Sequence, residues 1–140
     1  MDLMARTIIE AQCHRLAALF CHYVDSTDDA ATASLWTKDG TWTTPRSTLT
    51  GHDEIKAYLG ARSGRMVRHQ TVNHVVDVRD EANAVGNAFF SVLIGVPVPD
   101  KEGKYDFGGA PLVGAYADTY RKVGETWLFA SRRIDMFSAL

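Results

Sequence analysis

Cysteine is scarce in this chain: there are two, Cys13 and Cys21, eight positions apart in one helical pattern. That separation is too long for a disulfide, so they read as buried free thiols, which suits a reducing compartment. Long apolar runs are also missing, and nothing approaches a membrane span. The N-terminus alternates charged and apolar residues instead of offering the core of a signal peptide. The expectation is a soluble cytoplasmic protein with no membrane partner. Strong charge of one sign is absent too, with a net charge of −2. The densest basic cluster, Arg62, Arg65 and Arg68, suits a helix end with solvated arginines more simply than a nucleic-acid surface, so no nucleic-acid partner is expected. No H-x-x-x-H, C-x-x-C or carboxylate-rich facial set occurs, which argues against a metal site. G-x-G-x-x-G, P-loop and G-x-S-x-G patterns are missing as well, and no cofactor is expected. The remainder is ordinary globular composition, 46% hydrophobic and 23% charged, and 140 residues suit one domain spanning 1–140.

What is present is a change of periodicity along the chain. Ile9, Cys13, Leu16, Phe20 and Val24 recur at helical spacing and predict one helix from about Leu3 to Asp25. His14, Ala18, His22 and Asp25 form a second stripe on it. Ser26 to Asp29 supply a stop and a fresh N-cap, opening a short helix through Trp36. Lys38-Asp39-Gly40 reads as a turn, and Thr41–Thr44 with Ser47–Thr50 as a small hairpin around Pro45. A third helix runs from Glu54 to about Arg62. Four long strand-like runs follow, Val67–Arg79, Ala84–Val96, Leu112–Val123 and Thr126–Phe137, with tight-turn chemistry at Asp80–Asn83 and Gly124-Glu125. Pro97–Gly109 is a longer loop. Helices first and antiparallel strands afterwards is an α+β arrangement, helices on one face of the sheet. Gly86, Gly95 and Gly114 allow the strands to bend around a cavity for a small ligand.

The stretch Met66–Val78 carries two of the five histidines. Strict alternation puts His69, Thr71, Asn73 and Val75 on one face, with His69 and Asn73 about 14 Å apart. The same alternation sends His74 to the other face. Asp25 stands in the last turn of its helix, where a carboxylate opposes the macrodipole at a cost of about 0.3–1 kcal/mol. Two readings compensate it: a local one, capping the next helix or pairing with His22, and a cavity one, accepting a hydrogen bond from His69. In the last strand Arg132 shares a face with Leu128, Ala130, Ile134 and Met136, and so needs a carboxylate, a ligand anion or water. An internal ion pair with Asp118 is one solution. Trp127 and Phe129 fall on the face of Arg133 unless a bulge exchanges the two. Tyr23, Trp42, Phe89, Tyr116 and Tyr120 read as core or pocket wall, Tyr116 and Tyr23 as candidate phenolic donors. His14 and His22 read as decoration of the long helix, and His52 as a loop residue.

In order along the chain, Tyr23-Val24-Asp25-Ser26-Thr27-Asp28, Leu35-Trp36 through Trp42, Gly51, Arg68-His69 with Asn73, Gly114 to Tyr120, and Trp127 to Arg132 form an ordered set. It resembles the SnoaL-like, nuclear transport factor 2-like superfamily, in the branch holding scytalone dehydratase and hexachlorocyclohexane dehydrochlorinase. The resemblance implies three N-terminal helices packed on a strongly bent, mostly antiparallel sheet, a cone-shaped α+β barrel. It implies a catalytic pair at Asp25 and His69, a catalytic arginine at Arg132, a pocket-lining tryptophan at Trp42 and a homo-oligomer, by the same likeness a trimer. Phe20 stands where the dehydrochlorinase has lysine, Val24 where the dehydratase has tyrosine, and Asn87-Ala88 where the dehydratase has a second histidine, so the wall is poorer in polar groups. Together these point to a cofactor-independent lyase acting on a small, mostly apolar cyclic substrate, a dehydration or related β-elimination. His69 would be the base, Asp25 its support and Arg132 the stabiliser of departing charge, with Tyr23, Trp42, Asn73, Phe89 and Tyr116 binding substrate. The alternatives are a ketosteroid-isomerase-like double-bond shift, a non-catalytic small-molecule binding module, or an assembly subunit like the dioxygenase β-subunits.

Overall fold

Helix α1 (Leu3–Asp25) begins where Asp2 Oδ1 accepts the Ala5 N–H at 2.8 Å. The computed structural model describes residues 1–62 and 64–139. Along α1, Ile9, Cys13, Leu16, Phe20 and Val24 are buried, so the sequence stripe is the face that meets the sheet. The helix stops at Thr27, whose φ of 58° leaves the helical region. Asp28 then caps α2 (Asp29–Ala33) by accepting the Ala31 N–H at 3.0 Å. The expected extension of this helix through Trp36 does not form. Ser34 ends it, and Trp36 opens β1 (Trp36–Thr43) with its side chain fully buried. Strand β2 (Thr48–Thr50) pairs with it as the expected hairpin. Helix α3 (Gly51–Gly60) follows at once and buries Ile55 and Leu59. His52 therefore lies in its first turn, not in a loop, with Nε2 2.7 Å from the Trp36 carbonyl.

The long strands are β3 (Met66–Val78), β4 (Asn83–Pro97), β6 (Leu112–Val123) and β7 (Thr126–Met136), with a two-residue β5 (Tyr105–Asp106) inside the long loop. They form an open, curved seven-stranded sheet in the order β2-β1-β7-β6-β4-β3, with β5 on β4. The pairings are antiparallel except β1 with β7, which is parallel. Phe20 is the hub of the core: 1% exposed, it meets the rings of Trp36, Trp42, His69, Tyr116 and Phe129 edge-on at 5.7–6.5 Å. Truncating such a side chain typically costs about 3–5 kcal/mol. Among the described residues no helix is long and apolar enough to cross a membrane.

Three register shifts decide which side chains enter the cavity. In β3 the pairing with β4 slips between Val72 and Val75, where Asn73 adopts φ 52°. One extra residue reverses the alternation, so His69 and Thr71 point inward before the bulge and His74, Val76 and Val78 after it. In β7 the slip falls at Ala130, between the Ser131 and Phe129 pairings with β6. Trp127, Phe129 and Arg132 consequently share the inner face, and Arg133 faces out. In β1 the residues expected as a turn, Lys38-Asp39-Gly40, are an irregularity within the strand. It shortens the path between Trp36 and Trp42, which alternation puts on one face, so that their rings stack at 5.2 Å.

Candidate functional site

Asp25 ends α1, and the first inward position of β3 near it is His69. The Asp25 carboxylate accepts twice from that residue: Oδ2 takes the His69 backbone N–H at 2.8 Å and Oδ1 faces Nδ1 at 2.5 Å. These bonds compensate the unfavourable helix-end position. The local alternatives are not used, because Asp28 caps the next helix and His22 makes no hydrogen bond to Asp25 among the described residues. Facing a carboxylate, Nδ1 carries the ring proton of the neutral imidazole, so Nε2 is the basic nitrogen. Both side chains are mostly buried, 17% and 12% exposed for His69 and Asp25.

His69 lines a cavity of about 580 Å³. Its walls are apolar and aromatic: Phe20 and Val24 from α1, Trp42 from β1, Phe90 and Val92 from β4, Tyr116 from β6, Ile134 and Met136 from β7. Tyr58 and Leu59 of α3 complete them, Tyr58 edge-on to Trp42 at 5.4 Å. Tyr116 stacks on Phe90 at 4.3 Å, and burial raises its hydroxyl pKa, which keeps it a neutral donor. Gly114 makes that stack possible, since a Cβ there would lie 2.6 Å from the Phe90 ring. The rim carries exposed Arg46 and Arg65 and the half-buried pair Arg62 and Asp29.

Three residues expected on the wall are elsewhere. Asn73 is exposed at the β3 bulge, because the extra residue takes it off the inner face. Phe89 is 49% exposed on the outer face against Phe137, and its neighbour Phe90 enters the cavity instead. Alternation along β4 held the signal: Phe89 shares parity with Asn87 and Ser91, Phe90 with Ala88 and Val92. Tyr23 is half-buried beside the core and does not line the cavity.

Arg132 is 1% exposed and stands behind the wall, not on it. Its Nε and Nη2 donate to Asp118 Oδ1 and Oδ2, both at 2.8 Å. The guanidinium lies 3.8 Å from the Tyr116 ring centre, 4.4 Å from Phe129 and 4.6 Å from Phe20. Phe20 and Tyr116 therefore separate it from the cavity they line. Burial opposes its charge, but the Asp118 carboxylate outweighs that and holds it cationic. Asp118 Oδ2 also accepts the Tyr120 hydroxyl at 3.0 Å. With that proton committed, Tyr120 accepts from His74 Nε2 at 2.8 Å, which leaves His74 Nδ1 to accept from His14 Nδ1 at 2.9 Å. Gly86 admits this chain, because a Cβ there would meet the Tyr120 hydroxyl at 2.7 Å. No local sequence pattern connects His14, His74 and Tyr120, since His74 lies 60 positions from His14 and 46 from Tyr120.

The helix-capped cavity in an open curved sheet defines a class, the SnoaL-like α+β proteins of the nuclear transport factor 2-like superfamily. Residues 5–133 match the SnoaL-like domain family, and the chain belongs to it. A comparison with curated proteins finds no match. Among solved structures, the chain is similar to a candidate scytalone dehydratase from Novosphingobium aromaticivorans, at 19% identity and TM-score 0.79, covering 98% of this chain and 89% of that one. It is similar to a hexachlorocyclohexane dehydrochlorinase (LinA, type 2) at 15% identity and TM-score 0.79, over 98% and 90% of the two chains. A third similar structure is a variant of Rv3472 from Mycobacterium tuberculosis, a protein of unknown function, at 22% identity and TM-score 0.77, over 93% and 77%. At these identities the likeness establishes the fold.

Proposed function

We propose that this protein is a cofactor-independent lyase that performs a β-elimination on a small, mostly apolar cyclic substrate held in the cavity. The observation that carries the reading is the hydrogen-bonded Asp25–His69 pair at the edge of an apolar, aromatic hollow. His69 Nε2 takes a proton from carbon, the freed electron pair forms the double bond, and hydroxide or halide departs from the adjacent carbon. Asp25 holds the tautomer and stabilises the imidazolium that results. The imidazolium or the neutral Tyr116 phenol then supplies the proton that a departing hydroxide needs. Trp42 and Phe90 hold the ring in place. Arg132 acts at one remove, as a positioning residue whose charge is felt through Tyr116.

A double-bond shift is the second reading. It is favoured by the placement of Arg132 behind Phe20 and Tyr116, which leaves the aromatic part of the wall without it, the arginines that line the cavity standing at its rim. In that case His69 returns the proton to another carbon.

Turnover of a panel of cyclic β-hydroxy ketones and cyclic enones, followed by mass spectrometry and ultraviolet absorbance, tests both. Elimination gives loss of water, and isomerisation gives a change of enone absorbance at constant mass. His69→Ala should lower either by about 10²–10⁴-fold. Ligand binding that persists without turnover of any panel member would identify a binding module instead.

A further inference from the structure

The cavity's charge is opposite in sign to that of the chain. The protein carries −2 overall, yet the charged lining residues are three arginines and one aspartate, a local excess of two positive charges. The three arginines differ. Arg62 is consumed by structure: its Nε donates to the Leu59 carbonyl, Nη1 to Val24 and Nη2 to Asp29 Oδ1 at 2.8 Å. That last bond also neutralises Asp29. Arg46, in the β1–β2 turn, and Arg65, just before β3, are exposed and make no ion pair or side-chain hydrogen bond among the described residues. Two unpaired guanidinium groups on the rim of a low-dielectric hollow raise a positive potential at its mouth. Guanidinium groups bind carboxylate or phosphate through paired N–H donors, and removal from bulk water strengthens such contacts.

Resting on the reading of the cavity as a ligand site, we propose that it takes an amphiphilic anion. The ring of the ligand is buried among Phe20, Trp42, Phe90 and Tyr116, and its carboxylate or phosphate is held at the mouth by Arg46 and Arg65. The apolar end lies toward His69, so the arginines fix which carbon is presented to the base. They select substrate without taking part in bond making.

The test uses matched probes that differ only in the head group: 4-phenylbutyrate, its neutral amide, and 3-phenylpropyl phosphate. Each is titrated into the purified protein, with heat and tryptophan fluorescence, to which the cavity-lining Trp42 contributes, as readouts. At low salt both anions should bind roughly tenfold tighter than the amide, an advantage that shrinks severalfold near 0.5 M salt. The double variant Arg46→Gln, Arg65→Gln should reduce the anions to the affinity of the amide. A carboxylate that outbinds the phosphate, or the reverse, names the head group. Equal binding of acid and amide, or an acid preference that survives the double variant, overturns the arginine proposal and leaves the cavity reading standing. Absence of saturable binding by all three overturns both.

Discussion

Two carboxylate–cation pairs sit within one interior and have opposite fates. Asp118 and Arg132 are sealed, both side chains at 0% exposure, and the carboxylate is saturated by Arg132 and Tyr120. Asp25 and His69 keep some exposure and spend only one ring nitrogen on each other. In the first pair the unpartnered Arg132 Nη1 is sealed in the core behind Phe20 and Tyr116; the second leaves a basic nitrogen on a ring that lines the cavity. The lesson is that access of an uncommitted basic atom to the cavity, more than burial, separates a structural ion pair from a reactive one.

Breaking each pair should therefore give different signatures. The largest effect is expected on turnover: His69→Ala or Asp25→Asn lowers kcat by about 10²–10⁴-fold while the melting temperature moves little. An unaltered rate in either variant would end the dyad proposal. Asp118→Asn should do the reverse. It strands Arg132 uncompensated in the core and removes about 3–5 kcal/mol of stability, read as a lower urea midpoint with an unchanged slope. A stable Asp118→Asn protein would mean that the three aromatic rings around Arg132 suffice to hold its charge.

A third effect comes from the polar chain behind Arg132. Burial pushes the His74 pKa down to about 4 from the ordinary 6.5, and the neighbouring His14 ring and the Arg132 charge add to it. A group depressed in the folded state contributes its full stability above its unfolded pKa, and loses it as pH falls toward the folded value. Below about pH 6.5 the unfolded chain binds a proton that native His74 refuses. Stability should thus fall between about pH 6.5 and 4, by some 1–2 kcal/mol once the partial exposure of the ring is allowed for. Melting temperatures measured across this window should fall less steeply in His74→Gln than in the parent. Parallel curves would remove His74 as the source.

The comparison also explains what was legible beforehand. The span of α1 and the four long strands followed from periodicity, because each apolar stripe had to be buried. The cost of a carboxylate at a helix end called for a partner to Asp25 but pointed first to a local one; the family resemblance is what pointed to His69. The faces were less legible, since one inserted residue reverses every side chain beyond it. At Ala130 that reversal brought Trp127 and Phe129 onto the face of Arg132, the exchange that their burial demanded. At Asn73 it moved His74 inward and Asn73 itself out. The His14–His74–Tyr120–Asp118 chain depends on this second bulge and was invisible without it.

The smallest predicted effect isolates the bulge. Asn73 sits at φ 52°, a left-handed conformation that asparagine tolerates, glycine accepts and β-branched residues resist. Asn73→Gly should change stability by less than about 0.5 kcal/mol, and Asn73→Val should cost about 1–2 kcal/mol, both measured by urea denaturation. Neither should alter ligand binding, because the side chain lies outside the cavity. If Asn73→Val instead straightened β3, His74 would turn away from Tyr120, and the acid sensitivity assigned to His74 would disappear with it. Loss of binding in Asn73→Gly, with stability intact, would show that Asn73 reaches the ligand and would return it to the cavity wall.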